Sequence, residues 1–284
     1  MKNKFKILPI LIFLTITILP LVAGLIYALL NSIGLAGILA DGFTLENWRI
    51  IFGTNDFFQS IAYSVTITLI VLFFAVIFAL IFCEFLQTKV GISKFSLLFY
   101  IPLATPLIVA GFLTYQILGQ SGLFSRIAYN LHLIKDTSQF PDMVNDAFSI
   151  GIVFTHVLIS TSFFTIHFTN VFRNENISQL KVLSKTLGAG NGYYRRKIYL
   201  PIMLSKATPT IILYGIFILG SYELPMLLGR QEPQMISVAI AQKFQKYNIF
   251  DVPIAYCMAF IYTILVSTVL FILYKRKMLN NEVD

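Results

Sequence analysis

The residues of this chain that could carry chemistry are few, and their spacing excludes most uses. His156 and His167 stand eleven residues apart in one apolar run. On a helix that is almost three turns, so both face one way, yet about 16 Å separates them along the axis. That is too far to share one ion, and His132 falls in a loop-like stretch. No metal site is expected. The two helix histidines are expected either to hydrogen-bond to neighbouring helices or to line an aqueous path. No Gly-x-x-x-x-Gly-Lys-Ser/Thr phosphate loop, Gly-x-Ser-x-Gly elbow or His-Glu-x-x-His pair occurs. No aspartate pair lies within the apolar runs, so no intramembrane protease is expected. The chain is not expected to be an enzyme, and it implies no cofactor.

Two acids stand near apolar runs. Glu84 lies near the end of one run, where it can reach water. Glu223 stands in Gly220-Ser221-Tyr222-Glu223-Leu224-Pro225, expected about 25 Å along a helix from Lys206. Ionisable groups at membrane depth face a bundle interior or a water-filled cavity, and Pro225 should break the helix beside it. Glu223 either lines such a path or bonds to a neighbouring helix.

The most distinctive stretch is Ile177 to Pro201, ISQLKVLSKTLGAGNGYYRRKIYLP, a basic, glycine-broken segment between two apolar blocks. Ile177, Leu180, Leu183 and Leu187 recur at spacings of three and four, giving one apolar stripe on a short helix. Gly188, Gly190 and Gly192 stop that helix. Tyr193 to Leu200 is expected to form a second helical piece that Pro201 ends.

What must hold these residues is a membrane protein. Of 284 residues, 57% are hydrophobic and only 12% charged, with 27 Phe and 14 Tyr, a composition far from that of soluble domains. Six spans are expected, each near the ~20 residues a bilayer demands: residues 5–32, 60–86, 95–119, 147–172, 206–229 and 253–274. The first run follows Lys2, Lys4 and Lys6 but is nearly twice as long as a signal-peptide core, so it is expected to be retained. Pro102 and Pro106 should kink the third span, and residues 123–133 suit a short interfacial helix. Trp48, in the polar stretch 33–59, suits a membrane interface. Cys83 and Cys257 fall on opposite sides of the bilayer and cannot pair.

An even number of spans puts both termini on one side. If that side is the cytoplasm, the N-terminus, the Lys89–Lys94 turn, the 173–206 segment and the C-terminus hold fifteen of the 21 cations. The outer segments hold Arg49, Arg126, Lys135, Arg230, Lys243 and Lys246. The positive-inside rule therefore makes the Ile177 segment cytoplasmic. The net charge of +8 is spread between apolar spans, so no nucleic-acid partner is expected. The expected fold class is all-α and polytopic, with residues 1–59 forming a first helix and outer loop and residues 60–284 a five-helix core.

The Ile177 segment resembles the cytoplasmic loop of permease subunits of binding-protein-dependent ABC importers. That loop reads Glu-Ala-Ala, three residues, Gly, nine residues, then Ile-x-Leu-Pro. Here Gly188 is followed by nine residues and then Ile198, Tyr199, Leu200 and Pro201. Similarity extends to Tyr100–Phe112 and to the Gly220–Gly229 stretch, covering roughly Ser60 to the C-terminus. The Glu-Ala-Ala positions hold Val182, Leu183 and Ser184, so the family's acid is missing and the loop is degenerate. The resemblance implies a type I importer permease bundle in the bacterial cytoplasmic membrane. It also implies partners: cytoplasmic ATP-binding subunits, a second identical or homologous permease, and an extracytoplasmic solute-binding protein. It makes Leu180, Leu183, Leu187, Gly188, Ala189, Ile198, Leu200 and Pro201 the ATPase-coupling residues. Arg195, Arg196 and Lys197 would sit near the membrane surface or an acidic ATPase rim. The Gly220–Gly229 stretch is more similar to permeases for polyamines, phosphonates and ferric ion than to those for sugars, which remain the alternative. A cationic solute would suit Glu223 with Tyr222 and Tyr214, and His156 is a further path candidate. A proton-coupled secondary transporter would need ionisable relays in several spans, and the sequence offers only His156, His167 and Glu223.

Overall fold

The structure is a computed structural model that describes residues 4–87, 92–245 and 247–281. Lys2, Lys89 and Lys246 of the cation count lie outside the described residues. Among those residues the chain is helical and strand-free, and six helices are long and apolar enough to cross a membrane. A spanning backbone has no water to bond to, so it must satisfy its own amides, and only helices and closed barrels do so. The contacts divide the chain into two compact units, Met1–Gln59 with Val238–Asp284, and Ser60–Ser237.

In the first unit, α1 (Lys4–Ser32) packs along α13 (Asp251–Asn281), and α2 (Glu46–Gly53) also packs on α13. Tyr27 meets Tyr256 edge-on at 5.5 Å between ring centres. Trp48 does not simply float at an interface. Its Nε1 donates to Ser32 Oγ at 3.2 Å, its ring lies 6.2 Å from that of Phe260, and Asn47 Nδ2 donates to the Ser32 carbonyl at 3.0 Å. These bonds satisfy groups at the end of α1 that the helix leaves unpaired. Within this unit the aromatic residues of the last helix pack on the first helix and α2.

The second unit is built on α3 (Asp56–Phe85), which continues into it from residue 60, and on α7 (Ile150–Asn174), with α4 (Ile92–Ala104), α5 (Leu107–Leu118), α6 (Leu123–Asn130), α10 (Leu200–Leu219) and α11 (Glu223–Leu228). α7 touches α4, α5, α10 and α11. Its unusual polarity is internal: Thr155, His156, Ser160 and Thr165 are all buried. Thr155 Oγ1 and Thr114 Oγ1 of α5 bond at 2.7 Å, and Thr155 also donates to the Gly151 carbonyl at 2.8 Å. Hydroxyls that bond to their own helix or its neighbour can be buried at low cost.

Two of the expected spans, the third and the fifth, differ from the sequence reading. The third span is not one kinked helix over 95–119. It breaks at Thr105 and Pro106 into α4 and α5, with Pro106 extended at φ −56°, ψ 141°, because proline lacks the amide that would carry the ladder onward and restrains the residue before it. The fifth helix runs without a break from the widened turn at Arg195–Tyr199 into Leu200–Leu219, with Pro201 directly after that turn. Pro201 therefore does not end the piece before it. The fifth helix also stops at Leu219. The chain re-enters a helix at Glu223, which places Pro225 in the first turn of α11, so Glu223 does not ride on the fifth helix.

α11 lies close against α5. A Cβ on Gly111 would come within 2.9 Å of Leu227 Cδ2 and 3.0 Å of Leu224 Cδ2, and Leu224 is fully buried. Gly111→Val should overpack this contact by about 1–3 kcal/mol, read as a lower unfolding midpoint of the detergent-purified chain. Gly24→Val, with nothing within 4 Å of the added Cβ, should stay within about 0.5 kcal/mol of wild type. Equal midpoints for the two variants would contradict the close packing.

Candidate functional site

The Ile177 segment folds as a helix, a tight turn and a second helix held against one end of the Ser60–Ser237 unit. α7 ends through Asn176, whose φ of 49° gives a left-handed turn that asparagine tolerates. The chain then starts α8 (Ile177–Thr186). α8 ends at Gly188, with φ +82°. There the Gly188 amide donates to the Lys185 carbonyl at 3.0 Å and the Ala189 amide to the Ser184 carbonyl at 2.9 Å. This is a Schellman closure, and its left-handed position strongly favours glycine.

The return arm begins as a short helix, α9 (Asn191–Tyr194), widens into a π-type turn over Arg195–Tyr199, and runs on into α10. The expected second piece is therefore the start of a long helix. The wide turn lets Pro201 enter without a ladder amide, and such turns recur at functional positions.

Three contacts fasten the segment to the bundle. Ile177 is fully buried with Phe172, Tyr194 and Tyr199. Tyr199 donates its hydroxyl to the Leu80 carbonyl at 2.8 Å. Arg195 Nε lies 3.0 Å from both carboxylate oxygens of Glu84. Glu84 was expected to meet water, and Arg195 the membrane surface or a partner, but they meet each other across 111 residues. Arg195 is largely exposed, so the pair is worth at most about 1 kcal/mol and acts mainly as a locator.

α8 thus lies with Ile177 and Ser184 beneath it, and its flanks differ. Side chains turn about 100° per residue. Leu183 and Leu187 fall on one flank, whereas Lys181 and Lys185 fall on the other. Leu180, Leu183, Leu187, Gly188, Ala189 and Ile198 come together around a groove of about 540 Å³. Leu183 is 56% and Leu187 79% exposed. Ile177, counted in the stripe, is consumed inside the chain, and neither Leu200 nor Pro201 lines this groove. Tyr193, which the spacing argument passed over, does line it and is exposed. Its place past three glycines gives no periodic signal.

The expected path residues do not gather into one exposed site. His156 is 1% exposed and its Nε2 has no hydrogen-bond partner among the described residues. Tyr214 is half-buried and stacks on Phe163, with ring centres 4.8 Å apart, and the His167 ring lies parallel to that of Phe163 at 6.4 Å. Tyr222 is half-buried where α10 ends, and Glu223 is exposed in the first turn of α11, at the opposite end of the unit from α8.

No family model and no curated protein sequence matches this chain. Solved structures do. A chain from a bacterial ABC transporter involved in the import of the acidic polysaccharide alginate matches with a TM-score of 0.72 at 15% identity, over 97% of this chain and 94% of that one. A chain of a bacterial alginate ABC transporter, in complex with its alginate pentasaccharide-bound periplasmic protein, matches with a TM-score of 0.70 at 14% identity, over 95% and 91%. At that identity the likeness is one of fold. The chain shares the all-α fold of these ABC transporter chains, with six helices among the described residues long and apolar enough to cross a membrane.

Proposed function

We propose that this chain is the permease subunit of an ATP-driven importer of the type I class. In this reading it forms the solute path across a bacterial cytoplasmic membrane with both termini inside. A separate ATPase hydrolyses ATP, a second permease completes the path, and an extracytoplasmic binding protein delivers the solute. The observation that carries the reading is the outer flank of α8. Leu183 and Leu187 are exposed on a helix whose underside packs on the end of α7 and on the return arm, an arrangement suited to insertion into a groove of a partner protein. Movement of that partner would pass through Ile177 and Tyr199 into the spans. Val182, at the position of the family's acid, is exposed and apolar, so on this side a partner meets a hydrocarbon surface where relatives offer charge.

Two solute readings have support. Glu223, an exposed acid beside Tyr222, suits a polyamine or another cationic solute, or the phosphonate and ferric-ion class that the Gly220–Gly229 stretch resembles. A sugar is favoured by a different observation, since the matching structures are of alginate importers.

Two experiments test the proposal. With the ATPase co-expressed, Leu183→Asp and Leu187→Asp should each weaken its capture by the full-length chain at least tenfold, as charging a buried anchor does, with no change in the unfolding midpoint of the isolated chain. ATPase capture at wild-type levels would sink the coupling role. In reconstituted transport, Glu223→Gln should lower uptake of a cationic solute about tenfold if the acid contacts it. Unchanged rate and preference would remove Glu223 from the path and favour the sugar reading.

A further inference from the structure

The second flank of α8 borders a groove that the coupling role leaves unused. It measures about 600 Å³ and is lined by Lys181, Lys185, Asn191 and Arg195 on one side and by Leu80, Ile81, Phe85 and Leu200 on the other, with Glu84 between. The two sides differ in kind. Ile81 and Phe85 belong to the last turns of the spanning helix α3, and Ile81 is 58% exposed. The cations come from α8 and the return arm. Three cations face one acid, and Glu84 is already engaged by Arg195 at 3.0 Å. Lys181 is held with Nζ 5.2 Å from the Tyr194 ring centre, and Lys185 is exposed. The groove is therefore an apolar wall running into a spanning helix, capped by surplus positive charge and an amide.

We infer that this groove binds one anionic phospholipid of the surrounding leaflet. The acyl chains lie along Ile81 and Phe85, and the headgroup phosphate meets Lys185, Lys181 and the Asn191 amide. A soluble anion would gain nothing from the apolar wall, and an apolar peptide would leave both lysines unpaired. A phospholipid satisfies both halves at once, and basic pockets beside spanning helices recognise such headgroups. The inference requires only that the chain spans a bilayer. Its lysines lie on the flank of α8 away from Leu183 and Leu187, so it stands apart from the coupling reading. A bound lipid there would tie the underside of the segment to the membrane while the outer flank stays open.

The test is native mass spectrometry of the full-length chain, released from detergent with phosphatidylglycerol or phosphatidylcholine added at matched concentration. The wild-type chain should retain one phosphatidylglycerol in preference to phosphatidylcholine. Lys185→Gln or Lys181→Gln should lower that retention about fivefold each, and the double variant on the order of 25-fold, from the attraction of one basic side chain to an anionic leaflet. Lys135→Gln, in an exposed loop of the same unit, should change nothing. Lys185 is exposed, so this single variant stays interpretable if the double variant fails to fold. Equal retention of the two lipids, or wild-type phosphatidylglycerol retention by Lys185→Gln, overturns the inference. Displacement of the lipid by millimolar inorganic phosphate also overturns it and leaves a plain anion site. ATPase capture should be unaffected by Lys185→Gln, which separates failure here from failure of the coupling proposal.

Discussion

Ala75, Ala79 and Cys83 follow one another at spacings of four on α3, and all three are fully buried. They form a face with nothing larger than a thiol on it. Phe164 and Phe168 of α7 and Met203 and Ala207 of α10 join them in one core cluster. In a bilayer, lipid is as apolar as leucine, so helices associate where small residues let backbones approach and where packing is dense. One end of the Ser60–Ser237 unit is gathered round this cluster. It brings the Leu80 carbonyl within reach of the Tyr199 hydroxyl, sets Glu84 beside Arg195, and leaves Ile177 nowhere to go but inside. Gly215 repeats the device on α10, where an added Cβ would stand 3.0 Å from Leu72.

Prolines organise the same unit at both ends. Pro106 sits at a break, Pro201 directly after a widened turn and Pro225 in the first turn of a new helix, whereas Pro102 and Pro209 are carried inside α4 and α10. A proline lacks the amide that carries the helix ladder onward, so breaks and widened turns accommodate it. The restart at Glu223 lays α11 across α5 and α7 and exposes its acid. At Leu200 the return arm passes without a break into α10. A force applied to α8 therefore meets a continuous helix and not a slack loop.

α8 itself is a short helix with three different sides. Ile177 and Ser184 go under, Leu183 and Leu187 go to one flank, and Lys181 and Lys185 go to the other. Ten residues at 3.6 per turn are enough to give each side two contacts. Gly188 then closes the helix and turns the chain back before any further residue can blur the division.

Much of this was legible in the sequence. Composition and run length determined a six-span helical membrane chain, because the bilayer allows few alternatives. The Leu180-Leu183-Leu187 spacing determined an apolar flank, and Gly188 determined the turn, because both follow from local backbone geometry. Only the tertiary structure decided what lies more than a helix away. The Glu84–Arg195 pair and the Tyr199–Leu80 bond join residues 111 and 119 positions apart, and no periodicity encodes such partners. It also decided that Ile177 belongs to the interior and Leu187 to the outside, although the stripe treats them alike. Periodicity names a face of a helix. Which part of that face is covered depends on where α3 and α10 end, and that is set by packing across the whole unit.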